Sequence, residues 1–178
     1  GGVNMDIRGK RIVVIGGAGL IGSHTVDRLL LEDVGELVIY DNFSRGTLDN
    51  LSGALADDRC TIFDAGGDIT QSDVLESAIR GADGVFHFAA LWLLHCHDYP
   101  RSAFDVNIMG TFNVLEACVA EGVERLVYSS SASVYGDAVE EPMTEAHPHN
   151  NQNFYGATKI AGEAMARAMH FRYGLNYV

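Results

Sequence analysis

The sequence predicts a doubly wound α/β fold, in which helices cover both faces of a parallel sheet. The first observation is a series of short apolar, β-branched runs bounded by Gly or Asp, at residues 12–15, 37–40, 60–63, 85–88 and 126–128. Each run has the length and composition of a strand, and its continuous apolar character indicates that both faces are covered. The second observation is that stretches with helical spacing separate these runs, so strands and helices alternate and the crossovers require a parallel sheet.

The first strand runs into a glycine-rich loop with the pattern G-x-x-G-x-x-G, formed by Gly16, Gly19 and Gly22. An amphipathic helix follows from about Ser23. A pyrophosphate requires a tight turn, close approach of the backbone, and a helix N-terminus whose free N–H groups and dipole favour negative charge. Because glycine satisfies the first two requirements, we interpret this junction as a dinucleotide-binding loop.

The second strand ends at Asp41, close to the position where a dinucleotide site places a carboxylate, about 20 residues after the glycines. Such a carboxylate accepts hydrogen bonds from both hydroxyls of the adenine ribose and repels a phosphate on the 2′-oxygen. We therefore expect NAD rather than NADP. Arg45 lies close enough in sequence to compensate a phosphate if the loop turns it inward.

The third strand is followed by Asp68 and Ile69. The Asp68 carboxylate is placed where it can accept a hydrogen bond from the adenine amino group, and Ile69 could cover the ring. An equally open interpretation is that Asp68 is the N-cap of the next helix.

After the fourth strand, His95, Cys96 and His97 fall in a predicted loop. Three consecutive ligands lack the separated, convergent spacing that zinc prefers, so no metal site is predicted and the segment is interpreted as a polar lid beside the cofactor. The next helix is indicated by apolar residues at helical spacing, which are Val106, Phe112, Val114, Leu115, Cys118 and Val119.

The last predicted helix covers residues 155–173, and Gly174 is its expected terminator. Ile160, Ala164 and Ala168 step by four along one face of it. Residues 176–178 would then begin a sixth strand. Because a chain that ends inside a strand leaves an unpaired edge, we expect that this polypeptide is truncated.

Tyr155 and Lys159 lie four positions apart on this helix and therefore share one face. A cation beside a phenol stabilises the phenolate, which can accept a proton from an alcohol. Tyr-x-x-x-Lys is a common pattern by itself, but Ser129, Ser130 and Ser131 follow the fifth strand, at the sheet edge where doubly wound folds bind ligands. A Ser131 hydroxyl there could hold the substrate oxygen against Tyr155.

The composition narrows the classes of function. With 178 residues and 47% hydrophobic content, the chain can bury one core, and one domain over residues 5–178 is expected. Residues 1–4 precede Met5 without a pattern and are interpreted as a tag remnant. A formal net charge of −12 disfavours nucleic acid and anionic membranes as partners. Three cysteines without repeated spacing indicate a reducing, cytoplasmic location.

Taken in order, these motifs resemble the extended branch of the short-chain dehydrogenase/reductase superfamily, over nearly the whole chain. Four stretches look like the NAD-dependent epimerase/dehydratase family and, within it, the UDP-glucose 4-epimerases. They are YDNFSRG (residues 40–46), HFAA (87–90), NIMGT (107–111) and SSSASVYG (129–136). The resemblance implies a Rossmann domain that binds NAD, a UDP-sugar substrate, a homodimer in the full-length protein, and a C-terminal substrate domain that this chain lacks.

The resemblance also implies roles for individual residues. Ser131, Tyr155 and Lys159 take the catalytic places. The expected cofactor contacts are Gly16, Gly19, Leu20, Ile21, Gly22, Asp41, Asn42, Phe43, Ser44, Arg45, Gly46, Asp68, Ile69, Phe88, Ala89, Ala90, Leu91, Asn107, Ser129, Tyr155 and Lys159. The sequence departs from the family pattern at three positions. Ile15 replaces a frequent Thr, Trp92 stands where some hexose epimerases carry a Lys that reaches the cofactor, and Phe154 replaces a frequent Pro.

The residues after Ser131 bear on the reaction. The resemblance describes dehydratases and decarboxylases of this family as carrying acidic residues immediately after that hydroxyl, whereas this chain has Ala132 and Ser133. Without a carboxyl acid there, elimination lacks its proton donor and an oxidation–reduction cycle through Tyr155 remains. We therefore expect C4 epimerisation of a UDP-sugar through a 4-keto intermediate. A sugar dehydrogenase or ketoreductase, or a non-catalytic dinucleotide-binding module, are the alternatives.

Overall fold

The computed structural model describes residues 4–178, and their central feature is a five-stranded parallel sheet. Asn4 is exposed and belongs to no helix or strand, while the other residues of the expected tag remnant, 1–3, lie outside the described part. The strands are β1 (Arg11–Ile15), β2 (Glu36–Tyr40), β3 (Cys60–Ile62), β4 (Gly84–His87) and β5 (Arg125–Tyr128). Their order in the sheet is β3-β2-β1-β4-β5, which confirms the doubly wound prediction.

The helices alternate with these strands. They are α1 (Leu20–Leu30), α2 (Ser72–Ile79), α3 (Leu93–Asp98), α4 (Pro100–Ala103), α5 (Thr111–Ala120) and α6 (Phe154–Tyr173). A π-helical segment, Phe104–Gly110, joins α4 to α5, and single 3₁₀ turns occur at Asp49–Leu51, Ala54–Ala56 and Ala132–Val134. No helix within residues 4–178 combines the length and apolar character that crossing a bilayer requires.

The core lies on both faces of the sheet because neighbouring residues of each strand point to opposite sides. Ile12 and Val14 pack with α1 on one face, whereas Val13 and Ile15 pack with α2, α5 and α6 on the other. Both faces of the sheet are therefore buried. The loops that follow the strands meet at the carboxyl edge of the sheet.

Helix α6 has the predicted extent but a different buried face. It begins after Asn153, whose side chain accepts a hydrogen bond from the Gly156 N–H at 2.8 Å, and ends at Gly174 in the left-handed conformation (φ +77°). Its buried residues are Gly156, Thr158, Lys159, Gly162 and Ala166. The row of Ile160, Ala164 and Ala168 faces away from the sheet, and Ala164 and Ala168 are exposed.

Residues after α6 lie beside β5, as the expected sixth strand requires. The Val178 N–H donates to the Leu126 carbonyl at 2.9 Å, and the Tyr128 N–H donates to the Val178 carbonyl at 2.8 Å. Tyr177 forms a parallel bridge with Leu126. This pairing is an isolated bridge beside the five-stranded sheet, so residues 176–178 lie at the expected position next to β5 but are not a full strand.

Candidate functional site

A cavity of about 780 Å³ opens at the carboxyl ends of the strands, where the chain order reverses between β1 and β4. Ligands bind at this switch point in open α/β sheets. The residues that line it are Gly16, Gly19, Leu20, Ile21, Gly22, Tyr40, Asp41, Asn42, Ser44, Arg45, Gly46, Asn50, Gly67, Asp68, Ile69, Thr70, Phe88, Ala89, Ala90, Leu91, Trp92, Ser102, Asp105, Val106, Ser129, Tyr155 and Lys159. Most residues predicted at the site from sequence are therefore brought together in one cavity.

The glycine loop is shaped by contacts that a side chain would block. Gly16 has φ +79°, and a Cβ atom there would lie 2.9 Å from the Ala89 nitrogen. A Cβ on Gly22 would overlap the Gly16 carbonyl oxygen. Helix α1 begins immediately after Gly19, and no acidic residue occupies its first turn. The loop thus presents bare backbone beside a helix N-terminus, an arrangement that suits a pyrophosphate.

Asp41 faces the cavity and also anchors the glycine loop. One carboxylate oxygen accepts a hydrogen bond from the Ala18 N–H at 2.9 Å, and the other accepts from the Phe43 N–H at 2.8 Å. Each oxygen has a second acceptor site that these bonds leave available to a ligand hydroxyl. The sequence predicted the ligand-facing position of Asp41 but not its bond to Ala18.

Phe43 is the member of the 42–46 stretch that is not among the lining residues. Its backbone is in the left-handed region (φ +57°), and its ring packs against the core cluster under α1. This turn directs the Phe43 ring into the core, and the expected contact of Phe43 with the cofactor stays a prediction. Asn42, Ser44, Arg45 and Gly46 line the cavity as predicted.

Asp68 lines the cavity and does not cap the helix that follows. Its carboxylate accepts hydrogen bonds from the Thr70 N–H at 2.8 Å and the Thr70 hydroxyl at 2.7 Å. Helix α2 begins only at Ser72, after Gln71, so the N-cap interpretation of Asp68 is wrong. Ile69 is 3% exposed and reaches the cavity from the core.

Asn107 lies behind the cavity wall. Its amide oxygen accepts from the Leu91 N–H at 2.7 Å, and its amide nitrogen donates to the Leu91 carbonyl at 3.0 Å and the Thr158 hydroxyl at 3.2 Å. It is 2% exposed and not among the lining residues. Asn107 therefore positions Leu91, which lines the cavity, where a direct cofactor contact was expected.

The segment with His95, Cys96 and His97 is helical, so its assignment to a loop was wrong. It forms α3, in which Cys96 is buried and its thiol donates to the Leu91 carbonyl at 3.4 Å. His95 lies between the rings of Trp92 and Tyr99, with ring centroids 5.0 Å from each. The guanidinium carbon of Arg45 is 4.2 Å from the centroid of the Trp92 ring.

Lys159 and Tyr155 form the predicted pair on one wall of the cavity. The Lys159 ammonium donates to the Ser129 carbonyl at 2.7 Å and lies 5.7 Å from the centroid of the Tyr155 ring. Lys159 is 4% exposed, and this burial lowers the pKa of its ammonium to about 8. A desolvated cation beside a phenol is an arrangement that can hold and release a proton at the cavity wall.

Ser131 lies next to the start of α6 but is not among the lining residues. Its hydroxyl accepts a hydrogen bond from the Ser133 N–H at 3.1 Å and caps the 3₁₀ turn Ala132–Val134. A Cβ on Gly156 would collide with the Ser133 carbonyl, so the serine turn packs directly on the residue after Tyr155. The structure thus brings Ser131 into the neighbourhood of Tyr155.

Two further residues, the buried His87 and the half-buried Tyr128, adjoin Tyr155 and Lys159 and were missed from the sequence. His87, at the end of β4, is 2% exposed and shares a hydrogen bond of 2.9 Å with the Thr111 hydroxyl. Burial, together with the charge of Lys159, lowers the pKa of His87 to about 3, so its ring is neutral. The Tyr128 ring lies 5.2 Å from the Lys159 ammonium. Position at a strand end was the available signal for both.

Comparison with known proteins gives consistent matches. The model of the NAD dependent epimerase/dehydratase family matches residues 12–178. A UDP-glucose 4-epimerase from Halalkalibacterium halodurans is 37% identical over 94% of this chain and 48% of its own length. Among solved structures, a UDP-N-acetylglucosamine 4-epimerase from Methanobrevibacter ruminantium M1, in complex with UDP-N-acetylmuramic acid, is 33% identical with a TM-score of 0.87. The match covers 96% of this chain and 53% of that one.

A dTDP-glucose 4,6-dehydratase from Streptomyces venezuelae, solved with NAD bound, is also similar, at 33% identity and a TM-score of 0.86 over 94% of this chain and 53% of that one. This chain therefore spans about half the length of the proteins it matches. Both an epimerase and a dehydratase share its fold closely, so the choice between their reactions depends on individual site residues.

Proposed function

Because the chain belongs to the NAD dependent epimerase/dehydratase family, we propose that it is the NAD-binding and catalytic part of a nucleotide-sugar 4-epimerase. The observation that carries the proposal is the pair of Tyr155 and Lys159 on the wall of the cavity, with the ammonium buried and fixed to the Ser129 carbonyl. Within residues 4–178 the Lys159 ammonium forms no ion pair with a carboxylate. Burial of such a cation is costly, and a costly buried charge is typical of a functional group.

The shape and chemistry of the cavity suit NAD. The backbone of Gly16 and Gly22 at the start of α1 carries no side chains, which supports the proposal that it binds the pyrophosphate. The position of Asp41 supports the proposal that its carboxylate binds the adenine ribose. The volume of about 780 Å³ falls within the range of cofactor pockets. When bound, NAD supplies a reversible hydride acceptor.

Tyr155 is the proposed acid–base group. Its phenolate, stabilised by the Lys159 ammonium, takes the proton of the sugar 4-hydroxyl while C4 loses a hydride and becomes a carbonyl carbon. Ser131 donates its hydroxyl to the same sugar oxygen and orients it. The 4-keto sugar then rotates in the site. Tyr155 returns the proton as hydride is delivered to the other face of C4. At neutral pH Lys159 is still mostly charged, because its pKa of about 8 lies above 7.

The residues after Ser131 favour epimerisation over elimination. Ala132 and Ser133 carry no carboxyl group. The nearby carboxylate of Glu163 accepts a hydrogen bond from the Ser130 hydroxyl at 2.5 Å. Elimination of a sugar hydroxyl needs an acid to protonate the leaving oxygen, whereas the redox cycle needs Tyr155 alone. A dehydrogenase or ketoreductase would use the same Tyr155 and Lys159 and release its product after one hydride transfer. We propose a UDP-sugar as substrate, with a cytoplasmic homodimer as the full-length form.

Sugar interconversion in the full-length protein tests this proposal. Tyr155→Phe should lower kcat for UDP-sugar epimerisation by about a hundredfold or more, the scale expected for loss of a general base. Ser131→Ala should cost less. Tyr173→Phe, at the exposed C-terminal end of the same helix, is the matched control and should be unchanged. Near-normal interconversion by the Tyr155→Phe protein would remove Tyr155 from the mechanism.

A further inference from the structure

We propose that Arg45 and Trp92 form a clamp across the mouth of the cavity, in which Trp92 holds the Arg45 guanidinium over the pyrophosphate of the bound dinucleotide. The guanidinium carbon lies 4.2 Å from the centroid of the Trp92 ring, within the range of a cation–π contact. This inference rests on the proposed binding of NAD. It adds a specific device that retains the dinucleotide through its phosphates.

The two residues come from opposite sides of the cavity. Arg45 belongs to the loop after β2, Trp92 immediately precedes α3 after β4, and both line the cavity. Since β1 lies between β2 and β4 in the sheet, the contact spans the β1 end, where the glycine loop starts. A ligand on that loop would pass beneath the clamp.

The loop that carries Arg45 is docked on the glycine loop. The Ala18 carbonyl accepts hydrogen bonds from the Thr47 N–H at 3.1 Å and the Asn50 amide at 2.8 Å. Gly46 approaches so closely that a Cβ there would lie 2.6 Å from the Ala18 Cβ. Arg45, the residue before Gly46, is therefore fixed next to the backbone expected to bind the pyrophosphate.

The charges around the cavity favour a cation at this place. Among the lining residues, Asp41, Asp68 and Asp105 are acidic, and only Arg45 and Lys159 are basic. Lys159 is held at the other end of the site by the Ser129 carbonyl. A pyrophosphate carries two negative charges into a protein of formal net charge −12. Arg45 is the cation placed to offset them.

The guanidinium is free to bind an anion. Within residues 4–178, Arg45 is found in no hydrogen bond or ion pair, and its recorded contact is the one with the Trp92 ring. A cation–π contact occupies no N–H donor in a conventional hydrogen bond, so the guanidinium donors remain available for phosphate oxygens. His95 and Tyr99 stack behind Trp92 at 5.0 Å spacings and hold its ring in place. The donors are thereby oriented before the ligand arrives, which lowers the entropic cost of binding.

The test uses the 178-residue chain and the fluorescence of Trp92, which is its single tryptophan. NADH binding should change Trp92 emission by energy transfer, and the titration gives Kd. Arg45→Ala should raise Kd for NADH about tenfold, the scale of one charge-assisted hydrogen bond. ADP-ribose and adenosine do not absorb tryptophan emission, so their binding is measured by calorimetry. The same factor should apply to ADP-ribose, and adenosine, which lacks the pyrophosphate, should bind with unchanged affinity. Arg167→Ala removes an arginine that packs on Phe171 outside the cavity and should leave Kd unchanged.

Trp92 variants separate a clamp from an independent charge. Measured by calorimetry, Trp92→Leu should weaken NAD binding three- to tenfold and Trp92→Phe by less, because a phenyl ring still offers a face. The Arg45→Ala, Trp92→Leu double variant should bind NAD with about the same Kd as the single variant that binds NAD less tightly, since the two residues act as one unit.

Three results would overturn the clamp. If the unmodified chain binds NAD but Arg45→Ala stays within twofold of it, Arg45 does not bind phosphate. If Arg45→Ala weakens NADP much more than NAD, Arg45 recognises a 2′-phosphate. If the effects of Arg45 and Trp92 multiply independently, Trp92 does not act through Arg45. Failure of the unmodified chain to bind NAD at all would overturn the proposed function together with the clamp.

Discussion

Asp41 illustrates how much of a single residue's role the sequence reveals. Its position after β2 is sufficient to predict a carboxylate that lines the cavity, because strand order and spacing place it there. Its hydrogen bonds to the Ala18 and Phe43 N–H groups depend on how two loops fold against each other. Hydrophobic periodicity carries no information about such loop contacts, so this anchoring role could not be predicted.

The first prediction concerns the choice of cofactor. Because we propose that Asp41 accepts hydrogen bonds from the ribose hydroxyls and repels a 2′-phosphate, the chain should bind NAD more tightly than NADP, and Asp41→Asn should narrow this difference in affinity. Asp41→Ala should narrow it as well, and should also lower the free energy of unfolding by roughly 1–3 kcal/mol, since two backbone donors lose their acceptor. Calorimetric titration with both dinucleotides, beside urea unfolding, measures these effects. Equal affinities of the unmodified chain for NAD and NADP would contradict the assignment of Asp41.

The second prediction concerns the stability cost of the buried lysine. The pKa of Lys159 falls from 10.5 in the unfolded chain to about 8 in the folded one, which corresponds to roughly 3 kcal/mol of destabilisation at neutral pH. Lys159→Met removes this cost and loses the hydrogen bond to Ser129, so it should raise the free energy of unfolding at pH 7 by about 1–2 kcal/mol. In the full-length protein the same substitution should abolish catalysis.

The pH dependence gives the sign of this effect. Between pH 8 and 10.5 the unfolded chain holds the Lys159 proton and the folded chain does not, so the unmodified protein gains stability as pH rises. The advantage of Lys159→Met should therefore shrink between pH 7 and pH 9.5 in urea unfolding. Lys10→Met, which removes an exposed lysine paired with Glu124, is the control and should show no gain. If the Lys159→Met protein is less stable than the unmodified chain at pH 7, burial of the Lys159 ammonium does not carry the expected cost in stability.

Among the residues behind the cavity, Asn107 and His87 were not assigned their observed roles. Both are polar and nearly fully buried, and both are held by side-chain or loop partners distant in sequence. A sequence pattern identifies them as polar residues near strand ends, but the partner that satisfies a buried polar group is decided by tertiary packing. For this reason the residues of the cavity surface were more predictable than those behind it.

At the scale of elements, helix α6 determines where Tyr155 and Lys159 lie. Gly174 could be identified from sequence as the terminator because capping chemistry is local, whereas the Asn153 cap was not identified. The buried face was not predictable from the apolar row of Ile160, Ala164 and Ala168. Close packing against the sheet selects small residues instead: a Cβ on Gly162 would collide with the Tyr128 hydroxyl.

The third prediction tests how far the cap supports the site. Asn153→Ala removes the acceptor for the Gly156 N–H and should lower the free energy of unfolding by about 1 kcal/mol. Asn153→Asp keeps a side-chain acceptor and should stay within about 0.5 kcal/mol of the unmodified chain. Because Tyr155 is in the first turn, Asn153→Ala should also lower kcat in the full-length protein. Equal free energies of unfolding in urea for Asn153→Ala and Asn153→Asp would contradict the capping role.

At the scale of the whole molecule, the alternation of strands and helices was enough to predict the doubly wound sheet. Parallel strands need crossovers, and buried strands need helices on both faces, so few topologies remain. The helical form of residues 93–98 and the π-helical segment Phe104–Gly110 were not predictable, because short apolar and polar mixtures carry no decisive period. Asp105 and Val106 of the π-helical segment line the cavity, and sequence and structure agree least on this side of it.

The fourth prediction concerns the separation of binding from turnover in this 178-residue chain. The glycine loop, Asp41 and Lys159 lie on one cavity, so NAD should bind. Ser131 and Tyr155 can fix one oxygen of a sugar, but hydride transfer requires the sugar carbon to be held about 3–3.5 Å from the nicotinamide. The remaining positioning energy must come from contacts with the diphosphate and base of the substrate. The matched relatives are about twice as long as this chain, and we propose that their additional half supplies those contacts.

The most direct test is a titration of the 178-residue chain with NAD by calorimetry, followed on the same sample by a coupled assay of UDP-glucose and UDP-galactose interconversion. Gly22→Val, whose side chain would overlap the Gly16 carbonyl, is the control for binding at the glycine loop. We predict one NAD per chain, loss of binding in Gly22→Val, and no sugar turnover. Absence of NAD binding by the unmodified chain, or equal binding by Gly22→Val, would contradict the assignment of this cavity as the dinucleotide site.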